Sequence, residues 1–236
     1  MDFYYYKLDN CQYATGTVVV IDVLRAFTTA AFAFAAGAKS IKIVRDSDEA
    51  FLIRDNDSKI RLMGEGNGIK IAGFDYGNSP AEFLNQDLSG MDLVQRTSAG
   101  TLGVIRSCGA EILLATSFCC AGTTVHYLKI LQQRSISFVI TGITPEERGD
   151  EDTACADYLS ALYENQLIDP TPFLDRVRNS VNARLLAEMP INSGSDLEFC
   201  CQLDRFNFIM RVDTQEYPPK LHKLILDKNR NIYCES

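Results

Sequence analysis

The sequence predicts a three-layer α/β/α fold with a largely parallel sheet, either as one body or as two lobes around a single cleft. Three observations carry that expectation. Thr17-Val-Val-Val-Ile-Asp-Val23 is a continuous β-branched run of the kind buried on both faces of a sheet. Helix-patterned and strand-patterned segments then alternate along the chain, as an α/β architecture requires. Polar or glycine-rich loops recur after the strands, where open α/β sheets bind their ligands.

In chain order, the Thr17–Val23 strand is followed by an alanine-rich helix from Leu24 to Ala36, stopped by Gly37, and by a strand from Ser40 to Val44. That succession predicts a βαβ unit with a right-handed crossover. Asp46 to Arg54 suits a short helix, and Lys59 to Met63 a strand that delivers the loop Gly64 to Pro80. Five of the 15 glycines fall in this loop, and such density suits close backbone approach to a ligand. Asn78-Ser79-Pro80 predicts a helix start, with Ser79 as cap, Pro80 in the first turn and Glu82 completing a capping box.

Beyond it, Asp92 to Gln95, Glu111 to Thr116 and Ser135 to Thr141 read as strands. Helices are expected up to about Ser107, over Ala121–Gln133 and from about Thr153 to Tyr163. Asp169-Pro-Thr-Pro172 is the clearest linker, so the single 236-residue domain has a candidate lobe boundary near 165–172. Short helices over Pro172–Val177, Ser180–Glu188 and Asp196–Leu203, a strand over Phe206–Val212 and an edge hairpin after Tyr217 complete the expectation.

Composition narrows the function. With 46% hydrophobic and 23% charged residues the chain is globular rather than disordered. A formal charge of -8 argues against non-specific binding to nucleic acid or anionic membranes, which needs clustered Lys and Arg. The longest apolar stretch, Ala26 to Ala36, is too short to span a membrane, and no export signal opens the chain, so the cytoplasm is the expected compartment. Eight cysteines, two pairs of them adjacent, lack zinc or redox spacing and read as buried thiols. Only two histidines leave little material for histidine-based metal sites or phosphatase motifs.

The predicted strand ends place Asp22 and Arg25, the Gly64 loop, Arg96 to Thr101, Ser117, and Glu146 to Asp152 on one rim. Asp22, Glu65, Glu151 and Asp152 are hard oxygen donors suited to Mg²⁺, which keeps waters and uses one or two carboxylates plus substrate oxygens. Arg25 and Arg96 suit phosphate or other oxyanions, and backbone N–H groups of Ser98 to Thr101 at a helix start suit an anion. Each residue also has a plainer use: Asp22 as a helix cap, the arginines in salt bridges, Glu151 and Asp152 as solvated first-turn acids. Walker-type loops, Cys-x5-Arg loops and G-x-S-x-G elbows are absent, and Gly64-x-Gly66-x-Gly68 has the wrong spacing for a dinucleotide fingerprint.

Val20-Ile-Asp22-Val-Leu-Arg25-Ala26 with Thr28-Thr29, Gly64-Glu65, and Gly73-Phe-Asp75-x-Gly77-Asn78-Ser79-Pro80 resemble the 2-phosphosulfolactate phosphatase family. Arg96-Thr97-Ser98-Ala99-Gly100-Thr101 is similar to that family's Gly-Thr loop, and Glu151-Asp152 with Cys155-Ala156 to its Glu-Asp helix start. The C-terminal third matches weakly, with Ser193-Gly194 and Asp204 the best anchors of the likeness. The family's loop is commonly Thr-Asn-Gly-Thr, where this chain has Ser98-Ala99-Gly100-Thr101.

The resemblance implies an α/β, Mg²⁺-dependent phosphoric monoester hydrolase. Its reaction would convert 2-phosphosulfolactate to 3-sulfolactate and phosphate on the route to coenzyme M. The candidate catalytic residues are Asp22, Arg25, Asp75 and Arg96, with Asp22 or Asp75 activating water or attacking directly. Candidates for substrate binding are Asn78, Ser79, Thr97, Ser98, Gly100, Thr101 and Ser117; for the metal, Asp22, Glu65, Glu151 and Asp152. The expected partner is a small anionic phosphate ester, and homo-oligomerisation stays open. A non-catalytic paralogue sensing an anionic metabolite is the alternative, and a nucleotide-binding oxidoreductase a weaker third.

Overall fold

The computed structural model describes residues 1–142, 149–165, 167–189, 193–226 and 232–234, and the side chains of all of these except 193–195 and 232–234. The strands are β1 (Asp2–Lys7), β2 (Thr17–Ile21), β3 (Ser40–Ile43), β4 (Arg61–Gly66), β5 (Ile69–Lys70), β6 (Asp92–Arg96), β7 (Ile112–Thr116), β8 (Ser135–Ile140), β9 (Phe208–Asp213), β10 (Lys220–Leu226) and β11 (Ile232–Cys234). The helices are α1 (Ala26–Ala35), α2 (Ser47–Asn56), α3 (Gly100–Arg106), α4 (Ala121–Leu131), α5 (Asp150–Tyr163), α6 (Thr171–Asn179), α7 (Val181–Glu188) and α8 (Ser193–Cys200).

One sheet takes all the strands, in the order β1-β8-β2-β7-β9-β10-β3-β6-β4-β5, with β11 beside β10. Helices cover both faces, so the three-layer expectation and the largely parallel sheet hold. One face of β2, β3, β4, β6, β7, β9 and β10 packs on α1 and α3 through Val18, Val20, Ile41, Met63, Leu93, Ala115, Met210 and Leu221, with Phe27, Phe32 and Phe34 from α1. The opposite face of β2, β7, β8 and β9 is covered by α4 and α5 through Val19, Ile21, Leu114, Phe138, Ile209, Val125 and Leu159. Over β4 and β6 the cover is α2, through Ala50, Leu62 and Val94. Every residue of β2 is buried, as its β-branched run requires.

The expected crossover from β2 through α1 to β3 is corrected by the topology. β7, β9 and β10 lie between β2 and β3. The β7–β9, β9–β10 and β10–β3 pairs are each antiparallel, so β2 and β3 run in opposite directions. The parallel block β1-β8-β2-β7 thus faces an oppositely directed block β3-β6-β4. Twist of roughly 20–25° per strand accumulates between the blocks. The ends of β2, β8, β4 and β6 supply residues to one cavity, through Asp22, Gly142, Glu65 and Thr97.

The C-terminal segment also differs from expectation. β10 is no edge strand: it pairs with β9 and β3 and joins the two blocks, while hairpinning with β11. β1, which no motif announced, forms one sheet edge beside β8. Ser79 starts a 3₁₀ turn over Pro80–Phe83 rather than an α-helix, and its side chain makes no cap. Glu82 instead accepts from the Gly77 N–H at 2.9 Å, so no reciprocal capping box forms. α5 begins at Asp150, three residues before the expected start, which carries Glu151 and Asp152 into its first turn. α8 likewise begins at Ser193 and ends by Cys200. Near the expected lobe boundary, α6 packs on α5: Phe173 meets Tyr158 ring to ring, and Arg176 pairs with both Asp150 and Asp157. Cys11, Cys119, Cys120, Cys155, Cys200 and Cys201 are buried and free as expected, whereas the free Cys108 is only half-buried.

Gly64 is a point of close backbone approach within the β4–β6 pair. Its φ is +139°, and a Cβ there would sit 1.9 Å from the Arg96 carbonyl oxygen across the β4–β6 pair. Gly64→Ala is therefore expected to destabilise by more than about 4 kcal/mol, seen as loss of soluble protein or of the cooperative thermal transition; a melting temperature within a few degrees of wild type would contradict this.

Candidate active site

A cavity of about 230 Å³ is lined by residues from both blocks. Asp22, Leu24 and Arg25 reach it from the loop after β2, Glu65 from the end of β4, Asn67 and Gly68 from the β4–β5 turn, and Thr97, Ser98 and Ala99 from the loop after β6. Gly142 follows β8, Glu151 and Asp152 come from the start of α5, and Asn78 from the turn before the 3₁₀ segment. Asn182, Leu185, Leu186 and Met189, on and just beyond α7, make the remaining wall. A larger groove of about 470 Å³ lies elsewhere, lined by Glu111, Arg211, Asp213 and His222. None of its lining residues carries an unpartnered buried side-chain atom, whereas Asn78 Oδ1 and Glu151 Oε2 in the smaller cavity are both unpartnered.

Asp22 is almost wholly buried. Its Oδ1 accepts from the Ala26 N–H at 3.0 Å, so it does cap α1, but it also borders the cavity. Burial is the main cause that raises its pKa to about 6, with Glu65 and Glu151 adding to it and the Ala26 N–H and Thr141 hydroxyl opposing. Gly100 is where α3 touches this group: a Cβ there would stand 2.7 Å from Asp22 Oδ2 and from Ala26 Cβ. Gly100 therefore allows close approach.

Glu151 and Asp152 are 2% and 1% exposed, which excludes the reading as solvated helix-start acids. Asp152 accepts from Val23 N at 2.8 Å, Gly142 N at 2.7 Å, and Thr141 N and Oγ1 at 3.1 and 3.2 Å, tying α5 to the ends of β2 and β8. Burial, then the charges of Glu151 and Asp22, push its carboxyl well up. Glu151 accepts from Asn182 Nδ2 through Oε1 at 2.5 Å, and burial raises its pKa too.

Glu65 occupies the anion site that the sequence assigned to a ligand. Its Oε1 accepts from Ser98 N at 2.5 Å, and its Oε2 from Gly68 N at 2.5 Å and Ser98 Oγ at 3.0 Å. Thr97 and Thr101 satisfy each other, Thr101 N donating to Thr97 Oγ1 at 3.1 Å and Thr97 N to Thr101 Oγ1 at 3.0 Å. The N–H groups of Thr97, Ser98 and Thr101 are thus consumed inside the protein.

Arg25 is buried at the cavity wall, with Nη1 3.0 Å from Asp196 Oδ2 and Nη2 3.1 Å from the Gly68 carbonyl. Arg96 does not line the cavity; its Nη1 donates to the Glu65 carbonyl at 2.7 Å, which braces the turn carrying Glu65. Asp75 is also outside the lining: its Oδ2 accepts from Leu62 N at 2.8 Å and lies 4.0 Å from Arg54. Ser79 donates to Asp196 Oδ1 at 2.6 Å, and fully buried Ser117 accepts from Thr28 at 3.0 Å; neither lines the cavity. Residues 143–148, including Glu146, lie outside the described residues, as does the Ser193 side chain.

The structure therefore gathers Asp22, Arg25, Glu65, Asn78, Thr97, Ser98, Glu151 and Asp152, and adds Asn67, Gly68, Asn182, Asp196 and the α7 wall. Asn67 and Gly68 belong to the glycine-rich loop already placed on the rim, whereas Asn182, Asp196 and the α7 wall were missed because they follow no strand end. Asn182 and Asp196 sit on short helices in the C-terminal third, where the polar pattern reads as ordinary surface. Among the described residues, no three His, Cys, Asp or Glu side chains converge closely enough to enclose a metal by themselves.

Curated relatives carry the same functional name. "Probable 2-phosphosulfolactate phosphatase" of Bacillus subtilis (strain 168) is 32% identical over 211 residues, 88% of this chain and 92% of the relative. The protein so named in Carboxydothermus hydrogenoformans is 32% identical over 240 residues, 97% of this chain and 96% of the relative. The one in Thermoplasma acidophilum is 30% identical over 191 residues, 81% and 83% respectively.

The class these findings define is an enzyme, a phosphoric monoester hydrolase on a three-layer α/β scaffold. Its acidic, arginine-bearing cavity, lined from both sheet blocks, is of a size for a small ester. The model for 2-phosphosulpholactate phosphatase matches residues 4–215, and the chain belongs to that family. Among the described residues, no helix is long and apolar enough to cross a membrane.

Proposed function

We propose that the chain hydrolyses 2-phosphosulfolactate, or a closely related small phosphorylated acid, to phosphate and the free hydroxy acid, which is 3-sulfolactate in the first case, with Mg²⁺ as cofactor. The observation that supports this most is the meeting of Asp22, Glu151 and Arg25 on one small cavity in which Glu151 Oε2 and Asn78 Oδ1 have no partner. Buried polar atoms without partners are rare and call for a ligand or water. Several carboxylates close enough to raise one another's pKa call for a cation.

The donor set fits Mg²⁺. That ion takes hard oxygens, retains waters and needs only one or two carboxylates, so a cage of three is not required. Asp22 and Glu151 would hold it, Glu151 through the unpartnered Oε2. Glu65 and Asp152 would frame it, because their oxygens already accept backbone and hydroxyl donors. When bound, the ion supplies charge neutralisation at the phosphoryl oxygens and a more acidic water.

The chain's own residues would do the rest. Arg25 binds a phosphoryl or acid oxygen from the cavity wall, and a guanidinium is the suited group for such oxyanions. Asp22, with a pKa of about 6, is poised to take a proton from an attacking water or to attack phosphorus itself near neutral pH. Asn78 Oδ1 accepts a hydrogen bond from that water or from the substrate. Leu24, Leu185, Leu186 and Met189 exclude bulk water on one side, which strengthens the charge interactions on the other.

The test is phosphate release from 2-phosphosulfolactate, phospholactate and phosphoglycolate, with Mg²⁺ and with EDTA. Mg²⁺-dependent release strongest with the sulfonate is expected. Release from another ester of the panel alone would move the substrate, and no release from any would remove the hydrolytic reading.

A further inference from the structure

Arg25 is the cavity's cationic side chain among the described residues, yet it stands beside four carboxylates: Asp22, Glu65, Glu151 and Asp152. Left to itself, such an arginine would fold onto one of them and compete with a cation. It does not, because Asp196, on α8 and fully buried, takes its Nη1 at 3.0 Å. Asp196 is itself held from the other side, its Oδ1 accepting the Ser79 hydroxyl at 2.6 Å. The Gly68 carbonyl fixes Nη2 at 3.1 Å. Four separated segments therefore meet to hold one guanidinium: the loop after β2, the glycine-rich turn, the Asn-Ser-Pro turn and α8.

We propose that Asp196 is a positioning residue for substrate binding. It neutralises Arg25 from behind, turns the guanidinium toward the place of the substrate's oxyanion, and keeps it off the acidic groups of the cavity. Asp196 does not line the cavity, so it acts through Arg25 and not by touching substrate. The same geometry gives Ser79 a role other than substrate contact: it orients the Asp196 carboxylate, which explains why a helix-start serine makes no cap here. The inference rests on the phosphatase reading for its kinetic consequences but not for its binding consequence.

Asp196→Asn keeps the shape and can still accept from Ser79, while it removes the charge that holds Arg25. We expect its kcat/KM to fall about 10²-fold, carried mainly by a higher KM, as misplacement of a binding group does. Asp196→Glu should recover part of the loss. In an Arg25→Ala background the same Asp196→Asn change should cost less than about 3-fold, since residues acting as one unit are not additive. Equal losses in both backgrounds would overturn the proposal, because a merely structural role would act on either. The second readout needs no turnover: inorganic phosphate with Mg²⁺ should raise the melting temperature of wild type and fail to raise that of Asp196→Asn. Equal phosphate stabilisation of both proteins would likewise overturn it. If wild type hydrolysed no ester but lost phosphate stabilisation on Asp196→Asn, the positioning role would stand and the hydrolytic reading alone would fall.

Discussion

Asp22→Asn is expected to lower phosphate release by at least about 10³-fold while making the metal-free protein melt higher than wild type. The two effects have one cause. A buried carboxylate with its pKa at about 6, against 3.8 in water, carries a cost in the folded state of roughly 3 kcal/mol once ionised. Asparagine keeps an oxygen for the Ala26 N–H, removes that charge from beside Glu65 and Glu151, and removes the proton acceptor and metal ligand together. For a chain of 236 residues, part of that energy corresponds to a rise of about 5 °C. Loss of activity with gain of stability is the mark of a charge kept for function; near-normal turnover would remove Asp22 from the chemistry. A lower melting temperature would mean that the carboxylate's hydrogen bond to α1 outweighs the repulsion.

Metal-free wild type should become more stable as pH falls from 7.5 toward 5.5, opposite to the usual acid response of a protein. The sign follows from which state binds protons more tightly. Asp22, Glu151 and Asp152 all have raised pKa values in the fold, so the folded state takes up protons first. For Asp22 the stabilisation is complete below the ordinary 3.8 and is lost as pH rises through about 6. Between pH 7.5 and 5.5 Asp22 alone supplies about 1 kcal/mol, and Asp152, raised further, adds in the same direction. His222 works against them: burial lowers its pKa, so its protonation below about 6.5 favours the unfolded chain. One half-buried histidine offsets part of the effect of three buried acids. Mg²⁺ should reverse the trend, because it needs the carboxylates ionised and so binds best at the higher pH. Thermal melts in EDTA and in Mg²⁺ at pH 5.5, 6.5 and 7.5 measure both slopes; a metal-free melting temperature that falls steadily with acid would contradict the shared burial of the carboxylates.

Local patterning was enough to mark most of the strands and helices and to single out many of the polar groups that line the cavity. The β-branched run before Asp22 could be little else than a strand buried on both faces, and the alternation after it set the layers. Asp22, Arg25, Glu65, Asn78, Thr97, Ser98, Glu151 and Asp152 were legible because residue types that are costly to bury stood in loops after strands or at a helix start.

Strand order, and which polar groups are left free, emerge only in the folded chain. Local patterning carries no information about partners far away in the chain, so it could not reveal that β9 and β10 separate β2 from β3 and reverse the second block. It could not separate Glu65, whose oxygens are spent on Ser98 and Gly68, from Glu151, which keeps one oxygen unpartnered. Nor could it show that Asp75 and Arg96 brace the loops while Asp196, 171 positions beyond Arg25, holds that arginine in place. A carboxylate's role is set by the donors that surround it, and those donors come from segments that only the folded chain brings together.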